Sequence, residues 1–171
     1  MKGAVAGFIG GLVGTWMMSE CQAFWSRVVD GIEPRSAGGR HDARDWQERN
    51  EGTNANELAA NAVARATTGH DLTERELQIA APLMHYAFGS TVSAFYGACA
   101  EGAPWVTAGN GAAFGTLVWA GADEAAMPAL GLADPAEYPV ESHLQSLASH
   151  LVFGLTAEVV RRGVRRMLRD G

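Results

Sequence analysis

The chain has 171 residues, enough for one domain with a substantial core and too few to expect two. A formal charge of -6, with no basic–aromatic stripe, argues against a nucleic-acid partner. Cys21 and Cys99 lie in apolar runs without a spacing motif, so neither a disulfide framework nor a zinc finger is expected, and both read as small buried apolar residues. The mean hydropathy is near zero, but the average misleads. Polar residues concentrate between Ser26 and Glu76, and the rest of the chain is a series of apolar runs.

The first run, residues 3–25, holds one acid, Glu20, and no base. Its start resembles a signal peptide, but it lacks a small-residue cleavage site and continues through Trp16, Met17, Met18 and Trp25. A transmembrane helix anchored by Trp25 at the interface is predicted. "GFIGGLVG" is not a nucleotide loop, because no strand precedes it and no Lys follows.

Residues 26–76 form a polar extramembrane segment, rich in Gly and charge at its start. Within it, "NANELAANAVARATTG" places Leu58, Ala59, Ala62, Val63 and Ala66 on one helical face and offers Gly69 as a stop. A short amphipathic helix is expected there. Thr73 and Glu76 then have capping-box spacing, with Leu72 and Leu77 at staple positions, and they open the second long helix.

The second run, 77–100, contains His85 and no formal charge, with Pro82 inside it as a source of a kink. The third, 105–122, has no charge at all, begins at Trp105 and ends on Asp123 and Glu124. The fourth, 144–160, carries His150 and Glu158 and runs into Arg161, Arg162, Arg165, Arg166 and Arg169. Small residues recur at four-residue spacing in three of the runs. Gly7 and Gly11, then Gly10 and Gly14, repeat in the first; Gly89, Ser93 and Gly97 in the second; Gly111 and Gly115 in the third. That spacing lets helix backbones approach closely in lipid. The expected fold is all-α. It is a single integral membrane domain over 1–171, a four-helix transmembrane bundle with the short amphipathic helix between helices 1 and 2.

The arginine-rich end places both termini in the cytoplasm by the positive-inside rule. Alternating helix direction then brings Glu20, His85, His143, His150, Asp123 and Glu124 to one half of the bundle, the outer one. His143, Ser146 and His150 share a face of helix 4. Asp123 and Glu124 differ by about 100° on an α-helix, so one of them, Asp123, is expected inward and Glu124 toward the interface. His143 reads as a residue flanking helix 4 at the interface, Asn110 as an interhelical hydrogen-bonder, and Glu158 as a partner of Arg161 or Arg162. His41 and His70 read as solvated.

"HYAFGSTVSAFYG" (85–97), "DEAAMPALGL" (123–132) and "SHLVFGLTAEVVRR" (149–162) resemble the YagU-like group of small, uncharacterised bacterial inner-membrane proteins. The likeness covers most of the chain beyond the polar segment, in the same order. It implies an integral protein of the bacterial inner membrane with about four helices, and brings no reaction and no catalytic residue.

Ionisable groups in a bilayer are costly and therefore functional candidates. Two readings stand at this point. One is a structural or complex-forming bundle, a homo-oligomer or membrane-complex subunit, whose polar groups satisfy one another. The alternative is a site of Glu20, His85, Asp123 or Glu124, and His150 that binds a divalent metal ion or carries protons or other ions, since imidazole with carboxylate suits both roles. No catalytic Ser/His/Asp or Cys/His motif is visible, so no enzymatic reaction is argued.

Overall fold

The computed structural model describes residues 1–32, 55–131, 136 and 138–170. Among these residues the chain is all-helical, without a strand. The helices are α1 (Lys2–Ile32), α2 (Ala55–Thr68), α3 (Glu74–Gly102), α4 (Ala112–Gly121) and α5 (Val140–Asp170). A 3-10 segment, Pro104–Gly111, precedes α4, and a π-helical turn, Ala122–Ala126, follows it. The chain divides into two compact units, one of Met1–Ala23 with His85–Gly171 and the other of Phe24–Met84.

In the second unit, α2 ends on Gly69, whose φ of +81° is in the left-handed region and whose N–H donates to the Arg65 carbonyl. This is the glycine stop expected from the sequence. The capping box forms too. The Thr73 N–H donates to Glu76 Oε2 at 2.8 Å, and the Glu76 N–H to Thr73 Oγ1 at 3.4 Å. Glu76 sits below the usual carboxylate range because that backbone N–H and the Thr73 hydroxyl both favour its charged form. The buried face of α2 differs from the expected one. Ala60 and Ala64 are buried, whereas Ala62, Val63 and Ala66 are exposed. Asn61 explains the rotation: its Oδ1 accepts the Leu72 N–H at 2.9 Å, so this side of α2 must face the returning chain. His41 lies outside the described residues, and His70 is exposed.

In the first unit, glycines set the helix contacts. A Cβ on Gly11 would lie 2.6 Å from the Gly89 carbonyl oxygen and 2.7 Å from Ser90 Cα, and one on Gly7 would overlap the Ser93 carbonyl. Gly97 faces Gly3 and Gly7 in the same way. These contacts run α1 antiparallel to α3. Gly10 and Gly14 bring α1 equally close to Ala157 and Phe153 of α5. Gly111 and Gly115 bring α4 against Gly154 and His150, again antiparallel. With no Cβ in the way, backbones meet at distances where dispersion between main chains contributes strongly.

The expected third helix, 105–122, is not continuous. Gly109, Asn110 and Gly111 have φ values of +67°, +55° and +96°, so the α-helix starts only at Ala112. Glycine adopts this region freely and Asn tolerates it better than other residues, so "GNG" inside an apolar run is a break. Between the polar ends of the unit lies an aromatic layer. Tyr96 stacks on Phe114 at 4.1 Å, Phe114 tilts against Phe153 at 5.7 Å, and Met18 and Ala157 complete the core.

Outside this layer, several polar groups pack inward and many large apolar ones face outward. The largest side chains excluded from solvent altogether are Glu158, Thr15, Ser93 and Ser149. Phe95 and Leu117 are more than 70% exposed, and Phe8, Trp16, Phe88, Leu155 and Val159 also face outward. By length and composition, α1 is the one helix among the described residues apolar enough to cross a membrane, over Lys2–Val28. The α3 and α5 helices have the length, but their inward faces carry the Ser, His, Glu and Arg that lower their hydropathy.

Candidate functional site

The candidate site lies where the π turn after α4 meets the first half of α5. At its N-terminal end, α5 presents His143, Ser146 and His150 on one face, the i, i+3, i+7 spacing expected from the sequence. Opposite them, the expectation that only Asp123 turns inward is corrected, because both carboxylates reach α5. The Ser146 hydroxyl donates to Asp123 Oδ2 at 2.5 Å, and His143 Nδ1 contacts Glu124 Oε1 at 2.6 Å. His143 is therefore a member of the row rather than a residue merely flanking the helix.

The π turn accounts for this. The Met127 N–H bonds to the Ala122 carbonyl five residues back, and the wider turn reduces the angle between successive side chains. Pro128 follows directly and has no N–H for the Glu124 carbonyl, which weakens the α register at this point.

The geometry fixes proton positions. His150 Nδ1 lies 2.9 Å from the Ser146 carbonyl, and a carbonyl can only accept, so Nδ1 carries the hydrogen. The neutral ring then keeps its lone pair on Nε2. Ser146 Oγ is 3.4 Å and Asp123 Oδ2 3.8 Å from the same Nδ1, which places a hydroxyl between a carboxylate and an imidazole. His150 is itself buried, with 7% of its surface exposed. His85, on α3, belongs to this neighbourhood. Asp123 and His150 act on it electrostatically, and its Nε2 is buried with no hydrogen-bond partner among the described residues. Glu20 does not join the row. It is exposed on α1, and none of the contacts linking Asp123, Glu124, His143, Ser146 and His150 involves it. Among the described residues no group of three or more His, Cys, Asp or Glu converges closely enough to hold a metal ion.

A second polar cluster occupies the far side of the aromatic layer. Glu158, fully buried, accepts from Tyr96 Oη at 2.9 Å, from Arg161 Nε and Arg162 Nε at 2.6 Å each, and from a further Arg161 nitrogen at 2.9 Å. Arg162 also donates to Asn110 Oδ1 at 3.0 Å, pinning the break before α4. The expected i, i+3 and i, i+4 pairings of Glu158 are both made, and Asn110 does bond to α5, but from the break before α4 rather than from within a helix. Tyr96 was not legible as a member, because nothing in "SAFYG" marks a ring that must reach across to α5. Nearby, Arg165 pairs with Glu101 through two hydrogen bonds of 2.5 and 2.7 Å, which hold the Glu101 carboxyl below the usual range.

A family model described as "Protein of unknown function (DUF1440)" matches residues 55–159. The chain belongs to this family. The match takes in α2, α3, α4, the π turn with Asp123 and Glu124, and α5 as far as Val159, so both polar clusters fall largely within the family's span. Neither the curated proteins nor the solved structures give a match.

Proposed function

We propose that the protein is an integral membrane bundle that takes up and hands on protons at the carboxylate–imidazole row between the π turn and α5. The membrane placement is supported by the burial pattern outside the aromatic layer, in which Thr15, Ser93, Ser149, His150 and Glu158 pack inward while Phe8, Trp16, Phe88, Phe95 and Leu117 face out. In hydrocarbon this arrangement costs nothing on the outside and shelters polar groups within. The likeness to the YagU-like group and the arginine-rich end of α5 support a bacterial inner membrane with both termini in the cytoplasm.

The observation that carries the proton reading is the chain Asp123–Ser146–His150, with Glu124–His143 one turn away. A hydroxyl donates to a carboxylate on one side and approaches an imidazole on the other, while the imidazole's second nitrogen offers a lone pair that can accept a proton. A row of hydrogen-bonded acid and imidazole groups is the arrangement through which protons pass. Paired groups favour this over a divalent metal, which needs three or more converging ligands. The Tyr96–Phe114–Phe153 layer stands between the row and the other end of the unit, so uptake is from one side.

The test is proton flux through the purified protein in proteoliposomes under an imposed pH gradient. D123N and H150Q are expected to abolish that flux. Wild-type vesicles without flux, or flux that both variants retain, would leave the row a structural hydrogen-bond network and sink the proposal.

A further inference from the structure

We infer that the exposed arginines at the C-terminal end of α5 bind the headgroups of anionic phospholipids; this rests on the membrane reading proposed above. The arginines divide into two sets. Arg161 and Arg165 face the bundle, where Glu158 and Glu101 neutralise them. Arg162, Arg166 and Arg169 are exposed and lie at i, i+4 and i+7, on one outward face; Arg162 is held by Glu158 and Asn110, which leaves Arg166 and Arg169 as the pair offered to a ligand. Glu158, already engaged, is the sole acid between Leu155 and Arg169, and Arg166 and Arg169 have no ion pair among the described residues.

This basic stripe continues an apolar one. Val140, Leu144, Leu155 and Val159 are all exposed on the same side of α5. At about 1.5 Å per residue, Val140 to Val159 spans roughly 28 Å, close to the ~30 Å of bilayer hydrocarbon. The arginines start one turn later and extend about 10 Å further, the depth at which phosphate groups lie. Long side chains rooted at that level place their guanidinium groups among phosphates, and guanidinium binds phosphate oxygens through paired hydrogen bonds. A nucleic acid or an acidic soluble protein would match the charge alone, whereas a phospholipid matches both charge and the apolar run beneath it.

The full chain is purified in a neutral detergent, and its thermal midpoint is followed as phosphatidylglycerol or phosphatidylcholine is titrated into the micelles. Phosphatidylglycerol is expected to raise the midpoint more than phosphatidylcholine, an advantage that shrinks in 0.5 M salt, where the Debye length falls to about 4 Å. In R166Q/R169Q the apparent affinity for phosphatidylglycerol should fall about fivefold per arginine removed. R166K/R169K should keep most of it, and R75Q, which removes a charge elsewhere, should keep all of it. Equal midpoints in the two lipids for the wild type would overturn the inference, as would an undiminished phosphatidylglycerol effect in R166Q/R169Q. Inorganic phosphate giving the same shift would replace the lipid by a free anion and equally overturn it. Failure of the membrane reading is read separately, as recovery of the protein in the soluble fraction before any detergent is added.

Discussion

Gly11→Ala adds one methyl group at the closest backbone approach between α1 and α3. The new Cβ would stand 2.6 Å from the Gly89 carbonyl oxygen and 2.7 Å from Ser90 Cα, where ordinary contact begins at 3.4 Å. The neighbours are backbone atoms of a helix and cannot swing aside, so the two helices must separate by about 0.8 Å at this level, the shortfall from that contact distance. Overpacking of this kind costs about 1–3 kcal/mol. The widened gap also loosens the adjacent Gly7–Ser93 and Gly97–Gly7 contacts. Gly163→Ala is the control, because its Cβ meets nothing within 4 Å. There the higher helix propensity of Ala should stabilise α5 by up to about 1 kcal/mol. Thermal unfolding of both variants in one detergent, followed by circular dichroism, reads the difference as opposite shifts of the midpoint. A G11A midpoint equal to or above that of G163A would refute the close-packed α1–α3 contact.

Three further outcomes follow from the polar clusters and the cap. Glu158→Gln leaves the buried Arg161 guanidinium without its counter-charge and should destabilise by about 3–5 kcal/mol, whereas Tyr96→Phe removes one hydrogen bond to the carboxylate and should cost about 1.5–3 kcal/mol; unfolding curves that reverse this order would contradict the network. A double-mutant cycle on E124A and H143A should give a coupling of about 0.5–3 kcal/mol, and a coupling of zero would mean the 2.6 Å contact is not energetically formed. Glu76 has its carboxyl lowered by the Thr73 N–H and hydroxyl in the folded state, so the cap's contribution is fully present above the unfolded carboxylate value of about 4.3 and is lost as pH falls through the lower folded one. The protection factors of the first-turn amides of α3 should therefore fall below about pH 4 in the wild type, and T73A should show the lower protection already at pH 7.

Local signals were legible where one short stretch suffices to make the structure. Gly69 ends α2 because only a left-handed residue can turn there, and Thr73 with Glu76 starts α3 because each satisfies the other's backbone N–H. The Glu158–Arg161–Arg162 pairs follow from helix periodicity alone. The break at "GNG" is a turn signal that the expectation of one continuous helix over 105–122 did not use.

Other features depend on partners distant in the chain. Whether Asp123 or Glu124 faces inward cannot be decided from a 100° helical wheel, because the π turn exists through the register of Ala122–Met127 and the match to α5. Tyr96 joins Glu158 across 62 residues, and Asn61 rotates α2 by bonding the chain 11 residues on. The sequence by itself determined that the apolar runs are largely helical, where α2 stops and α3 starts, and that small residues recur at helical spacing, since these depend on backbone preference and periodicity. Only the tertiary structure decided which carboxylate meets which imidazole and that Glu20 stands apart, because side-chain pairing depends on helix rotation and register, which are set by contacts between segments rather than within them.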